Sequence, residues 1–151
     1  MSSAANYSAT LVAWTIDDSE FDLKLNHRIL SRSGAFADIR GFSSAQLALE
    51  ALRTATMFPD VIFLDIMMPI KNGFDFLAEA TEEHGDAFTS RVVIMLTSSL
   101  NPADRARAEG FGAVKGFLSK PLTTEDSHQI AAKTADVVGA GLPIERRAVP
   151  D

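Results

Sequence analysis

The sequence predicts an α/β fold in which one parallel β-sheet carries helices on both faces. Five short apolar runs alternate along the chain with five segments of helical periodicity. Such alternation implies a parallel sheet, and right-handed crossovers restrict it to a doubly wound topology. The length of 151 residues fits one domain, and no repeat or linker divides it. We expect a domain over residues 10–138, a flexible N-terminus at 1–9 and a loose C-terminal tail at 139–151.

The first strand is predicted over residues 10–16, an apolar run that stops at two aspartates. A helix from Ser19 to about Ser33 follows, because apolar residues recur there at helical spacing and Gly34 favours a helix end. Those apolar residues are Phe21, Leu25, Ile29 and Leu30.

A weaker second strand is predicted over residues 36–42, ending near Gly41. Ser43 or Ser44 can cap the second helix, since a serine hydroxyl accepts a hydrogen bond from a first-turn amide. Pro59 ends this unit. The helix is predicted from Leu47, Ala48, Ala51 and Leu52.

The third strand, residues 61–64, is a continuous apolar run that leads directly into Asp65. A third helix is predicted after Pro69 and Gly73. Its apolar residues are Phe74, Phe76, Leu77 and Ala80.

The fourth strand is predicted over residues 92–96. Asn101 as cap and Pro102 at the first position open a fourth helix, which closes at Gly110 or Gly112. Residues 114–118 then form a short fifth strand, and the last helix runs from Thr123 or Thr124 to about Val138.

Polar side chains follow four of the five predicted strands. Asp17 and Asp18 follow the first and Asp65 follows the third. Thr97 and Ser98 follow the fourth, and Lys120 follows the fifth. Ligands of open parallel sheets bind outside the carboxyl ends of the strands, so we expect these side chains to converge on one edge.

Three clustered carboxylates repel one another, and a divalent cation with oxygen ligands relieves that repulsion. We expect Mg²⁺, with Mn²⁺ as the alternative. Asp18 and Asp65 are predicted to bind the ion directly and Asp17 through a water molecule. The backbone carbonyl of Met67 is the further predicted ligand.

This set of residues suits phosphoryl transfer to a carboxylate. Asp65 is the predicted nucleophile, since carboxylates form covalent aspartyl phosphates. Lys120 would neutralise charge on the phosphoryl group and the Thr97 hydroxyl would donate a hydrogen bond to it. Ser98 is small enough to leave Asp65 accessible to the phosphoryl group.

Each residue alone also has a purely structural interpretation. Asp17 and Asp18 could serve as a helix cap, Asp65 as a turn residue and Thr97 as a partner of backbone groups. Lys120 alone would more often be a solvated surface lysine. If the site had no function, all of these structural interpretations would have to be correct at once. That coincidence is improbable, so the pattern favours a functional site.

The sequence resembles the receiver domain of two-component response regulators from about Leu11 to Val138. The matching segments, in order, are Ile16-Asp17-Asp18, Leu64-Asp65-Ile66-Met67-Met68-Pro69 with Gly73, Leu96-Thr97-Ser98, and Ser119-Lys120-Pro121-Leu122. The resemblance implies a flavodoxin-like, five-stranded sheet of order 2-1-3-4-5. It also implies a cis peptide bond between Lys120 and Pro121.

The resemblance assigns the roles as well. Asp65 is the phosphorylation site, the acidic pair Asp17 and Asp18 forms the metal pocket, and Thr97 and Lys120 contact the phosphoryl group. Phe117 lies where the family has an aromatic switch residue. Thr97 would move toward the phosphoryl group and let Phe117 turn inward, which changes the face of the fourth helix, fifth strand and fifth helix. The alternative role for Phe117 is core packing.

The resemblance implies two kinds of partner. A histidine kinase or histidine phosphotransfer protein supplies the phosphoryl group, and a downstream protein binds the switching face. We interpret the chain as a single-domain response regulator that catalyses only its own phosphorylation and dephosphorylation. Its output could be phosphate relay, phosphate removal from a kinase, or target binding.

Two residues depart from the usual pattern. Trp14 occupies a first-strand position where smaller aliphatic residues are usual. It could replace bulk elsewhere in the core or mark an end of the strand that contacts something. Phe117 lacks the hydroxyl of a tyrosine, so a switch there would act through packing. The segment 141–147 contains a basic pair and could dock a partner, although a solvated tail is the simpler interpretation.

Composition excludes several other classes. The absence of cysteine removes disulfides and thiolate chemistry, and the net charge of -6 disfavours nucleic-acid binding. We find no signal peptide and no apolar run of membrane-spanning length, so we expect a cytoplasmic protein without membrane contact.

The sequence disfavours three other functions. A phosphatase with an aspartyl nucleophile would need an acidic residue two positions later, where Met67 stands. A receiver that only binds proteins would not need the intact set Asp18, Asp65, Thr97 and Lys120. A nucleotide or flavin binder would need a Gly-rich loop after its first strand, which is lacking.

Overall fold

The computed structural model describes residues 11–98 and 101–138. The predictions for the N-terminus at 1–9 and for the tail at 139–151 fall outside these residues.

Five parallel strands form one sheet in the order β2-β1-β3-β4-β5, so the predicted 2-1-3-4-5 topology is confirmed. The strands are β1 Val12–Ile16, β2 Asp38–Phe42, β3 Val61–Asp65, β4 Val92–Thr97 and β5 Val114–Ser119. β3 and β4 are buried along their whole length, as expected for parallel strands covered on both faces.

The five predicted helices are present. They are α1 Glu20–Ser33, α2 Ala45–Thr54, α3 Gly73–His84, α4 Pro102–Glu109 and α5 Thr124–Val138. A sixth, short helix at Asp86–Thr89 was not predicted, since four residues are too few to show a helical period. It buries Phe88 against Phe76, with ring centroids 5.9 Å apart.

The helix boundaries follow the capping residues of the sequence. Ser19 and Asn101 cap α1 and α4, and Ser44, not Ser43, caps α2. Gly34 adopts a left-handed conformation (φ 69°) after α1, which glycine tolerates without steric penalty. Gly110, not Gly112, follows the last residue of α4.

The core lies on both faces of the sheet. One face packs against α2 and α3, and the other packs against α1 and α5. Trp14 belongs to the first face, where its ring centroid lies 4.7 Å from that of Phe42. It therefore fills the core and does not mark an exposed strand end.

Two residues that helped to predict helices do not belong to the core. Phe21 is 73% exposed and Leu47 is 48% exposed. Phe21 lies nine residues before the buried Leu30, which places it about 180° away around α1 at roughly 100° per residue. A spacing that indicates a helix therefore did not identify its buried face. Within residues 11–98 and 101–138, none of the helices combines the length and apolar character that a membrane span requires.

Candidate functional site

The site lies at the carboxyl edge of the sheet, where four strands end side by side. β1 ends just before Asp17, β3 ends at Asp65 and β4 ends at Thr97. The pairing of Thr97 with Ser119 in the β4–β5 register brings Lys120 to the same edge. The backbone N–H of Lys120 donates a hydrogen bond of 2.8 Å to the Thr97 carbonyl, and the Lys120–Pro121 bond is cis, as the resemblance implied.

Three carboxylates meet at this edge. One carboxylate oxygen from each of Asp17, Asp18 and Asp65 lies within 4.8 Å of the other two. Asp17 and Asp65 are 2% and 6% exposed, whereas Asp18 is exposed to solvent. Asp17 Oδ1 accepts a hydrogen bond of 2.9 Å from the Ser19 amide, which orients its carboxylate. Because Ser19 is the cap of α1, capping alone does not account for the acidic pair.

The Lys120 ammonium lies among carboxylates. Its Nζ is 2.8 Å from Asp17 Oδ2, 2.9 Å from Asp22 Oδ2 and 3.5 Å from Asp65 Oδ1. Lys120 is therefore not a solvated surface lysine. Asp22 was missed by the sequence analysis, since an acidic residue in the first turn of a helix is already explained by the helix dipole.

Burial and the nearby negative charges disfavour the ionised form of the Asp65 side chain. Desolvation, reinforced by the negative charges of Asp17 and Asp18, raises the pKa of Asp65 to about 6. The Lys120 charge and a hydrogen bond from the Met67 amide oppose this increase only in part. A cation near the cluster would stabilise the ionised form of Asp65.

Lys120 stays charged in this environment. Burial by itself would lower its pKa, but hydrogen bonds to Asp17 and Asp22 and the charge of Asp65 raise the pKa above its ordinary value. The ammonium is thus a permanent positive charge at the edge of the sheet at neutral pH.

Gly73 brings the loop after β3 close to Asp65. A Cβ atom at position 73 would lie 2.7 Å from the Asp65 carbonyl oxygen, so only glycine fits without movement. The Gly73 amide donates a hydrogen bond of 2.9 Å to the Ile66 carbonyl. The capping box of Asn72 and Asp75 fixes the start of α3 beside this contact.

The other residues predicted for the site are Thr97, Ser98, Met67 and Phe117. Thr97 is buried at the end of β4 and Ser98 is exposed just beyond it. The side chain of Met67 is 72% exposed, and its amide hydrogen-bonds to the Asp65 carboxylate. Phe117 is not part of the cluster: it pairs with Met95 in the sheet, packs against the core and lies under the Arg105 guanidinium, 5.3 Å away.

The donor set fits a hard divalent cation. All three acidic side chains offer oxygen atoms, the ligand type that Mg²⁺ and Mn²⁺ prefer. Since cysteine is absent from the sequence and the cluster contains no histidine, nothing in it favours a softer metal.

The chain is similar in sequence and in fold to known proteins. The family model of the response regulator receiver domain matches residues 14–132. Protein PilG of Pseudomonas aeruginosa is 30% identical over 118 residues, which cover 77% of this chain and 81% of PilG. The chemotaxis protein CheY of Halobacterium salinarum is 27% identical over 108 residues, or 71% of this chain and 82% of CheY. The crystal structure of a two-component response regulator from Cytophaga hutchinsonii superposes with a TM-score of 0.75 at 29% identity, covering 83% of this chain and 96% of that one.

Proposed function

The chain belongs to the response regulator receiver domain family, and on that premise we propose that Asp65 accepts a phosphoryl group from a phosphohistidine of a partner protein. The partner would be a histidine kinase or a histidine phosphotransfer protein. The observation that carries the proposal is the meeting of a buried Asp65 with two further carboxylates and the Lys120 ammonium.

Asp17, Asp18 and Asp65, with the backbone carbonyl of Met67, would hold Mg²⁺ or Mn²⁺. The bound ion would supply positive charge that keeps Asp65 ionised and balances the phosphoryl oxygens. The raised pKa of Asp65 supports this assignment, because the cluster without an ion disfavours a third negative charge.

The residues of the chain provide the rest of the chemistry. A carboxylate oxygen of Asp65 forms the new bond to phosphorus as the P–N bond breaks, and the electron pair of that bond stays on the partner's imidazole nitrogen. Lys120, 3.5 Å from Asp65 Oδ1, neutralises charge on the transferred group. The Thr97 hydroxyl donates a hydrogen bond to it, and the small Ser98 leaves the approach open.

The new charge on Asp65 would then change a neighbouring surface. Thr97 moves toward the phosphoryl group and Phe117 turns toward the space that Thr97 leaves. Phe117 lies on β5 between α4 and α5 along the chain, so the α4–β5–α5 face changes shape for a downstream protein. The same phosphoryl group could also pass onward in a relay.

Chemistry on foreign substrates is not part of the proposal. Met67 stands two positions after Asp65, where an aspartyl phosphatase needs an acidic residue, and its side chain is exposed. We assign the chain a signalling role in the cytoplasm, as a receiver domain that catalyses only its own phosphorylation and dephosphorylation.

Intact-mass measurement tests the proposal directly. The protein is incubated with Mg²⁺ and acetyl phosphate, and we expect one added phosphate that is base-labile and that EDTA prevents. Asp65→Asn should gain none, whereas Asp104→Asn on α4 should gain the same mass as the unmodified protein. No added mass in the unmodified protein, or equal mass in Asp65→Asn, would contradict the proposal.

A further inference from the structure

Lys120 has a hydrogen-bonded carboxylate partner that belongs to neither the acidic pair nor the phosphorylation site. The distance from Lys120 Nζ to Asp22 Oδ2 is 2.9 Å, almost the same as the 2.8 Å to Asp17 Oδ2. Asp65 Oδ1 is farther away, at 3.5 Å. The ammonium is thus shared by Asp17 and Asp22 and lies on the α1 side of Asp65.

The start of α1 explains why the Asp22 carboxylate is available to Lys120. In α3 and α5 the aspartate at the third helical position accepts a hydrogen bond from the cap amide, as Asp75 does from Asn72 and Asp126 does from Thr123. In α1 the cap amide of Ser19 instead donates to Asp17 Oδ1. The carboxylate of Asp22 is therefore not engaged by the cap and reaches Lys120.

We propose that Asp22 is a positioning residue that holds the Lys120 ammonium toward α1 and so weakens its contact with a phosphoryl group on Asp65. This inference rests on the proposed function, since it describes the access of Lys120 to the phosphoryl group. A phosphoryl group on Asp65 has to compete with Asp22 for the ammonium. Asp22 also adds negative charge beside an anion, which acts in the same direction.

The first test is a titration with beryllofluoride, a phosphoryl mimic, at saturating Mg²⁺ and followed by NMR amide shifts around Asp65. Asp22→Asn should bind beryllofluoride roughly threefold or more tightly than the unmodified protein, the effect expected from one partly exposed charge pair. Asp22→Glu, which keeps the carboxylate, should restore the original midpoint.

The matched control is Glu20→Gln, which removes one negative charge from the same exposed turn of α1. Its beryllofluoride midpoint should stay within about a factor of two, because a solvent-screened charge without the lysine contact acts weakly. An equal change in Glu20→Gln, or weaker binding in Asp22→Asn, would overturn the inference.

A second test does not depend on phosphoryl chemistry. Amine labelling of Lys120, quantified by peptide mass spectrometry in metal-free protein, should be faster in Asp22→Asn than in the unmodified protein and unchanged in Glu20→Gln. Unchanged labelling in Asp22→Asn would refute the positioning role. Faster labelling in a protein that binds Mg²⁺ but no beryllofluoride would support the contact with Lys120 and refute the proposed function instead.

Discussion

Gly73 and Asp65 are in direct steric contact through the backbone. A Cβ at position 73 would lie 2.7 Å from the Asp65 carbonyl oxygen and 3.1 Å from Ile66 Cα. Backbone atoms at the end of the third strand and just after it cannot move aside as a flexible side chain could. The absence of a side chain at position 73 is therefore tied to the position of Asp65, the proposed phosphoryl acceptor.

Gly73→Ala should lower both stability and phosphorylation. Inserting a methyl group against backbone costs about 1–3 kcal/mol, and the loop after β3 has to shift to relieve it. Urea unfolding and the rate of phosphate gain from acetyl phosphate measure the two effects. Gly112→Ala is the control, since a Cβ there would lie at an ordinary 3.8 Å from Thr89 Cβ. Equal behaviour of the two variants would show that the contact is relaxed in solution.

Asp65→Asn should stabilise the metal-free protein at neutral pH. The folded-state pKa of Asp65, about 6, lies above its ordinary value of 3.8. Its protonation therefore favours the folded state, and this contribution is complete below the unfolded value and lost as pH rises through about 6. At pH 7 the ionised carboxylate destabilises the fold, by on the order of 1–3 kcal/mol.

Urea unfolding of both proteins between pH 4 and 7.5 in EDTA provides the measurement. The stability difference should grow in favour of Asp65→Asn as pH rises from about 4 to about 6 and then level off. Mg²⁺ should stabilise the unmodified protein more than the variant. A variant that is less stable at pH 7 without metal would show that the carboxylate is not strained.

Lys120→Met should separate metal binding from phosphoryl acceptance. Removing the ammonium takes away a positive charge close to Asp17 and Asp65, so Mg²⁺ should bind more tightly. Phosphate gain should fall by roughly tenfold or more, because the charge on the transferred group is no longer neutralised. Calorimetry and intact mass measure the two, with the exposed Lys24→Met as control. Weaker Mg²⁺ binding would mean that Lys120 chiefly maintains the pocket.

That Asp17, Asp65 and Lys120 meet at one edge of the sheet could be predicted from the sequence, because buried parallel strands leave apolar runs whose ends are visible, as at Leu64 and Asp65. The contact between Asp22 and Lys120 could not be predicted, since it joins residues 98 positions apart and depends on Asp17 taking the cap amide of Ser19. The exposure of Phe21 could not be predicted, since helical spacing alone does not show which face of α1 meets the sheet. The buried pair of Asp60 and Arg91 could not be predicted either, since neither residue lies in a recognisable motif.

Arg91→Met should destabilise the fold without removing the site. Arg91 and Asp60 are 5% and 0% exposed and their charged atoms lie 3.5 Å apart at the amino end of the sheet. Asp60 Oδ2 also accepts a 2.8 Å hydrogen bond from the Val12 amide. Removing the guanidinium takes away a positive charge beside a buried carboxylate, which costs about 3 kcal/mol.

Thermal unfolding measures that loss, and Asp60→Asn with Arg91→Met should recover part of it, since the buried charge is then absent. Phosphate gain at a temperature where the variant is folded should be unchanged, because the pair lies at the opposite end of β3 and β4 from Asp65. Loss of phosphorylation in folded Arg91→Met would show that the two ends are coupled.

Arg105→Ala should shift Phe117 toward its inward position. The guanidinium lies 5.3 Å from the Phe117 ring centroid and also pairs with Glu109, so it stabilises the partly buried ring where it now lies. An exposed cation–π contact contributes about 0.5–1 kcal/mol, which corresponds to roughly a two- to fivefold change in the ring equilibrium.

Aromatic NMR signals of ¹³C-labelled phenylalanine, assigned through Phe117→Leu, measure the position of the Phe117 ring with and without beryllofluoride. Arg107→Ala is the matched control. Arg107 lies on the same helix as Arg105, but its guanidinium lies over the ring of Phe74, 4.3 Å from the ring centroid. If both variants left the Phe117 signal unchanged and beryllofluoride did not move it, Phe117 would act as core packing and the switch would lie elsewhere on the α4–β5–α5 face.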